Sequence, residues 1–230
     1  SPKNQRVQKG RVCYFDMENS AGTVTKKRLV NNGIKNQKGF FQEEEPFSID
    51  DEDAMDMVYE AVGRLKPRLV VFDTLNTYIG KADTHKASET QQAFKEFVSL
   101  ARRFNCAVLV LRHLTKNTKG PAIYRGQGSI SFTGLARVVM TVGKDPEDPD
   151  SRVLAVTKIN VAKYPRGISF HIESLPDTLK ESDRSKFVWG DYVDYTADEI
   201  LSSPNESHMS NKKQETLEGC QRFLTDLLSN

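Results

Sequence analysis

An α/β fold with a mixed sheet, a parallel core passing into antiparallel strands, is predicted by three features of the 230-residue chain. The first is Arg68-Leu69-Val70-Val71-Phe72-Asp73-Thr74, four consecutive apolar residues that stop at an acid and a hydroxyl. A run without alternation is how a parallel strand covered on both faces reads. The second is a strand, helix, strand, helix, strand succession completed by Leu111, the pattern of parallel crossovers. The third is a change of pattern after Ala136, where short strands joined by tight turns replace helical periodicity.

Taken in order, Arg11 to Phe15 is a short apolar strand, followed by the acidic, turn-prone Asp16-Met17-Glu18-Asn19-Ser20. Thr23 to Asn31 reads as a short helix with Lys26, Lys27 and Arg28, closed by Asn32-Gly33, since glycine accepts the left-handed conformation that ends helices. A short strand is expected around Phe40-Phe41. Ser48 to Leu65 is expected to be a helix with Ser48 and Asp51 as a capping box, and Met55, Val58, Val62 and Leu65 facing the sheet. Lys66-Pro67 stops it. Thr77 to His85 reads as polar loop. The helix from Ala87 to Phe104 carries Phe94, Phe97, Val98, Ala101 and Phe104 on one face, and Ala107 to Leu111 is a second buried strand ending in Arg112-His113.

Leu114 to Gly128 is a polar, glycine-containing loop bearing Lys116, Lys119 and Arg125. Strands follow at Arg137 to Val142, Arg152 to Lys158 and Ile168 to Glu173, with a turn at Asp145-Pro146-Glu147-Asp148-Pro149-Asp150. Lys186 to Trp189 reads as an edge strand and Thr196 to Leu201 as a short helix with a Thr196/Glu199 capping box. Ser202 to Lys213 reads as linker and Gln214 to Leu228 as an amphipathic helix. The expected division is 1–190 for the main domain and 191–230 for a C-terminal helical extension.

Composition limits the partners. A formal net charge of +2 leaves nucleic-acid binding to a local patch. Mean hydropathy is −0.55, and no apolar run approaches the ~20 residues of a membrane span. Cys13 and Cys106 sit in or beside apolar strands, where buried free thiols are the ordinary expectation, and no cysteine has metal-ligand spacing. The expectation is a reducing, cytoplasmic setting without membrane attachment. The opening Ser1-Pro2-Lys3-Asn4-Gln5, without methionine and running straight towards a strand, reads as a fragment or a processed chain.

Four features fall at or just beyond the ends of these strands: Glu18, Asp73, His113, and Lys158 with Asn160. Ligands on open α/β sheets bind where strands end. An aspartate there reaches a hydrated Mg²⁺ while its backbone stays in the sheet, the geometry of a Walker B acid. Singly, each residue has an ordinary structural reading: a turn-forming Asp, a solvated Glu, a hydrogen-bonded His. Their joint order is more specific.

The blocks that carry a resemblance are Val12-Cys13-Tyr14-Phe15-Asp16-Met17-Glu18, Leu69 to Leu75, Val108 to Lys116, Tyr124-Arg125-Gly126-Gln127-Gly128-Ser129 with Gly134-Leu135-Ala136-Arg137, and Val156-Thr157-Lys158-Ile159-Asn160. In this order they resemble the RecA-like ATPase fold, and within it the RepA-like hexameric replicative helicase and primase-helicase group of plasmids, phages and mobile elements. The resemblance implies a three-layer fold, ATP and Mg²⁺ as cofactors, single-stranded DNA as partner, a homo-hexameric ring and an accompanying primase. It implies that Glu18 polarises the attacking water, that Asp73 holds Mg²⁺ and lies with Thr74 in the nucleotide site, and that His113 senses the γ-phosphate. Lys158 would reach a neighbouring subunit's nucleotide, and Lys116, Lys119 and Arg125 would face DNA. Arg125 stays open between DNA contact and arginine finger, Arg137 between finger and ion-pair partner; Arg166 is a further finger candidate, or a solvated charge. Tyr124 is open between base stacking and anchoring a strand start.

One departure stands out. No G-x-x-x-x-G-K-[ST] occurs in the chain; Gly80-Lys81 is followed by alanine. The backbone cradle and lysine for the β- and γ-phosphates are therefore missing from this sequence. Truncation ahead of Val12 is the expected reason, a degenerate relative the other. The function expected is an ATP-driven DNA helicase core, inactive in this fragment. The alternatives are a RecA-like non-helicase ATPase, such as a recombinase or a circadian-clock-type regulator, and a non-catalytic interaction module.

Overall fold

Apolar residues on both faces force Leu69–Asp73 into a sheet interior, and its neighbours follow from that. The computed structural model describes residues 8–34, 38–79, 87–115, 120–126, 130–175 and 185–202. Val12–Asp16 (β1), Phe40–Glu43 (β2), Leu69–Asp73 (β3) and Ala107–Val110 (β4) form a parallel sheet in the order β2-β1-β3-β4. The β1–β3 register runs from Val12 opposite Leu69 to Asp16 opposite Asp73. The carboxyl ends of β1, β3 and β4 therefore finish along one edge.

After β1 a π-helical turn, Ala21–Thr25, leads into the helix Lys26–Asn31 (α1), which Gly33 ends at φ 82. The next helix, Glu52–Leu65 (α2), begins four residues later than the sequence suggests. Its N-cap is Asp51, whose carboxylate accepts from the Ala54 amide at 3.1 Å, while Ser48 is spent on Asp50. Lys66 closes it in the left-handed conformation at φ 48. A single helical turn, Leu75–Tyr78 (α3), takes up the first two residues of the loop expected from Thr77, and Ala87–Phe104 (α4) has the expected bounds.

Met55, Val58 and Val62 of α2 and Phe97 and Leu100 of α4 pack on Cys13, Phe15, Val70 and Phe72 of the sheet. At the centre Phe72 is fully buried; its ring lies 4.9 Å from Phe15, 4.8 Å from Phe97 and 5.4 Å from Tyr78. Cys13 and Cys106 are buried free thiols, as expected, and burial pushes Cys13 up to about 11, aided by the charge of Glu43.

β4 departs from the buried strand expected. Val108 and Val110 face the core, but Leu109 and Leu111 are exposed. β4 is an edge strand among the described residues, and α2 and α4 cover only one of its faces.

The antiparallel half forms a separate sheet of Val138–Lys144 (β5), Ser151–Ile159 (β6), Gly167–Ser174 (β7) and Ser185–Val193 (β8), in sequence order. Its β5–β6 turn is held by Asp145, whose carboxylate accepts from the amides of Glu147 and Asp148. An apolar cleft of about 530 Å³ lies between the free edges of β4 and β5, lined in part by Leu109, Leu111, Val138, Met140 and Val142.

Ile130–Leu135 (α5) precedes β5, and Ala197–Leu201 (α6), with the expected Thr196/Glu199 capping box, packs across β5 and β6. Gly143 permits this approach: a Cβ there would overlap the backbone of Ile200. The linker and the Gln214 to Leu228 helix lie outside the described residues.

Lys158 closes α5. Its ammonium donates to the carbonyls of Thr133 (2.9 Å), Gly134 (2.6 Å) and Ala136 (2.9 Å). These are helix C-terminal carbonyls without intrahelical partners, the groups a cation caps best.

Replacing Phe72 by Ala should lower stability by about 3–5 kcal/mol in urea unfolding, through the cavity left among three rings. Lys158→Met should cost about 1–3 kcal/mol in the same measurement, because three carbonyls lose a charged donor.

Candidate functional site

The site is built where β1, β3 and β4 end. Asp16 and Asp73 are partners in the parallel register, so two carboxylates leave the sheet side by side. They are held differently. Asp16 is 1% exposed, and its Oδ1 accepts from the amides of Glu18 (2.9 Å) and Asn19 (3.1 Å). This Asx turn fixes the backbone that carries Glu18. Its Oδ2 is buried without a hydrogen-bond partner. Asp73 is half-buried, and its Oδ2 accepts from the Tyr14 hydroxyl at 2.5 Å. Thr74, buried, faces Thr77 across a 3.3 Å hydroxyl contact, and the Asp73–Thr74 peptide bond is cis.

Glu18 and His113 project into solvent and meet. His113 Nε2 lies 3.9 Å from Glu18 Oε1, with 64% and 52% of the two side chains exposed. Two residues 95 positions apart in sequence (113 − 18 = 95) thus come together above the carboxyl edge of the sheet.

The electrostatics of this edge are acidic. Burial comes first in raising the Tyr14 hydroxyl far above the ordinary phenol range, followed by the hydrogen bond to and charge of Asp73 and the charge of Asp16. Tyr78, with a buried hydroxyl lacking a partner, is raised by burial and then by Asp16, Asp73, Glu18 and Glu43. Two phenols on different elements therefore register the same collection of carboxylates.

Oxygen donors in an acidic setting suit a hard, hydrated cation such as Mg²⁺, and the unpartnered Asp16 Oδ2 fits that need. Among the described residues no three His, Cys, Asp or Glu side chains form a group able to hold a metal ion. A cation bound here would be held mostly by water, with Asp73 as its protein carboxylate. Such an ion would supply charge neutralisation for a phosphate oxygen.

The other predicted site residues lie elsewhere. Lys158 caps α5, as described. Arg125 is 8% exposed and donates to the Leu201 carbonyl at the end of α6, with its Nε buried and unpartnered. Arg137, just ahead of β5, is exposed. Arg166 forms a two-pronged ion pair with Asp194 at 2.5 and 2.8 Å. Lys116 and Lys119 lie outside the described residues. Within the loop, Thr115 N donates to Arg125 O at 2.7 Å, Leu114 bridges Gly126, and Tyr124 is 62% exposed at the end of a 3₁₀ turn, Ala122–Tyr124.

Asp16, Tyr14 and Tyr78 were missed as site residues. Asp16 was legible in part, because an acid two residues before Glu18 can form an Asx turn under it. Tyr14 and Tyr78 read as apolar positions, and only their hydroxyls' destinations distinguish them.

A family model described as an AAA domain matches residues 2–119. No curated protein matches the chain. Among solved structures, the crystal structure of the RadB recombinase shares the fold, with a TM-score of 0.50 at 16% identity over 78% of this chain and 79% of that one. The matched stretch contains β1 to β4 and with them Glu18, Asp73 and His113. The chain belongs to the AAA domain family and has a RecA-like α/β fold.

Proposed function

We propose that the chain is the ATPase core of a DNA helicase working in plasmid, phage or mobile-element replication, coupling ATP hydrolysis to movement along single-stranded DNA. The observation that carries the hydrolytic part is the Glu18–His113 pair, 3.9 Å apart beyond the carboxyl edge of the parallel sheet on which Asp73 ends. A carboxylate with an imidazole beside it can orient a water and take its proton, while a neighbouring carboxylate holds the charge-neutralising cation. Glu18 has the exposure to reach a water, and the Asx turn of Asp16 keeps it in place. His113, at the root of the loop that follows β4, stands 3.9 Å from Glu18 and would pass its position to that loop.

Coupling to DNA rests on Leu114 to Gly128. Its exposed Tyr124 offers a stacking face for a base, and Lys116 and Lys119 suit phosphate contacts. Arg125 anchors the base of the loop to α6. Of the four cations considered for a neighbour's nucleotide, Lys158, Arg125 and Arg166 hold partners within the chain. We therefore assign the trans-acting role in a ring of subunits to exposed Arg137. The phosphate cradle and an accompanying primase would come from outside this sequence.

The recombinase-like reading draws on the fold shared with RadB. Forked-duplex assays separate the two: strand separation supports the helicase, while hydrolysis and DNA binding without it support the alternative.

In the full-length protein, phosphate release from Mg·ATP should rise on adding single-stranded DNA. Glu18→Gln should lower turnover by about 10²–10⁴-fold, the usual worth of a positioned general base, with nucleotide binding kept. Wild-type turnover in that variant rules the assignment out.

A further inference from the structure

We propose that Arg112 is a positioning residue for the reaction: by gripping the return arm (120–126) of the loop that follows β4, it holds His113 against Glu18. The enzymatic half of this inference rests on the hydrolytic reading of the Glu18–His113 pair given above.

The sheet fixes the backbone up to the residue before Arg112. Leu111 N donates to the Phe72 carbonyl at 2.9 Å, and Leu111 O accepts from the Leu75 amide at 2.8 Å. Arg112 and His113 come next, and their side chains go to different places. His113 stands in solvent by Glu18. Arg112 goes to α5 and the return arm. Its guanidinium carbon lies 5.8 Å from the centre of the Phe132 ring, within cation–π range, and Nη2 donates to the Thr133 hydroxyl at 3.3 Å. That hydroxyl donates in turn to the Ile123 carbonyl of the return arm at 3.5 Å. Gly126, in the same arm, is crossed so closely that a Cβ there would fall on the guanidinium.

The anchor on which Arg112 pulls is firm. Phe132 and Thr133 are buried, Phe132 meets Phe94 of α4 at 6.4 Å, and Lys158 donates to the Thr133 carbonyl at 2.9 Å. Burial lowers the Arg112 guanidinium, so the fold keeps a charge where desolvation opposes it. Beyond His113 a second tie follows: Thr115 N donates to the Arg125 carbonyl at 2.7 Å, and Leu114 bridges Gly126. His113 is therefore bracketed by two attachments to one arm. An imidazole that is 64% exposed gains little aim from its own packing, and these attachments supply it. Aim matters, because a misplacement of about 1 Å can cost about 10²-fold in rate.

The test uses the 230-residue chain with ¹³C,¹⁵N-labelled histidine and reads the ring resonances of His113. Glu18→Gln should move them. In an Arg112→Met background that movement should shrink at least about twofold, because changes acting on one contact do not add. Gly126→Ala pushes the guanidinium aside but keeps its charge, and should shrink the movement likewise. Gly134→Ala, where a Cβ meets open space, and Thr133→Ser, which keeps the hydroxyl, should leave it whole. A full response in Arg112→Met or in Gly126→Ala overturns the role of Arg112 and leaves the Glu18–His113 pair standing. No movement on Glu18→Gln alone overturns both.

In the full-length protein, Arg112→Met should lower kcat for Mg·ATP by about 10–10²-fold with KM within about twofold, and add nothing to Glu18→Gln. Losses that multiply in the double variant overturn the positioning role. If hydrolysis survives Glu18→Gln, the enzymatic half falls with the hydrolytic reading, and the ring response alone decides whether Arg112 holds His113.

Discussion

The parallel pairing of β1 with β3 is the constraint on which the rest of the molecule depends. Because Asp16 lies opposite Asp73, the register that buries Cys13, Phe15, Val70 and Phe72 also brings two acids to the same edge. A slip of one residue would turn those apolar side chains to the other face and separate the acids. Core and site are thus held by one set of hydrogen bonds. The ring cluster around Phe72, just behind Asp73, makes the strand end rigid where the chemistry needs it.

Gathering carboxylates at one place is unfavourable unless something offsets it. Here the offsets are local. Tyr14 donates to Asp73, and the amides of Glu18 and Asn19 donate to Asp16. What is left over, a buried Asp16 oxygen and a buried Tyr78 hydroxyl, is a polar remainder of the kind kept at functional sites rather than in plain cores. The AAA domain match covers this whole construction.

The cations follow a different logic. Lys158 and Arg125 face helix C-terminal carbonyls that need donors, and a buried or half-buried carbonyl competes strongly for a charged side chain. Their position at strand ends and loop roots reads equally as ligand contact or as capping. The difference lies in short helices, α5 and α6, that end next to them.

What the sequence by itself determined was the order of elements and the acids at their ends. Uninterrupted apolar runs specify buried strands, helical spacing specifies α2 and α4, and Glu18, Asp73 and His113 stand where such strands stop. The RecA-like character of the fold was legible in the same blocks. Local rules erred where two candidates competed for one task, as when Asp51 took the cap that Ser48 was expected to share, and where burial depended on distant neighbours, as at β4. The tertiary structure alone decided that parallel and antiparallel strands form two sheets, that one face of β4 stays open, and that Lys158 and Arg125 bond inward. It alone decided that Tyr14 belongs to Asp73. The reason is physical: strand and helix periodicity are written in near neighbours, whereas the partner of a hydroxyl or a guanidinium is whichever unsatisfied group the folded chain brings within about 3 Å of it.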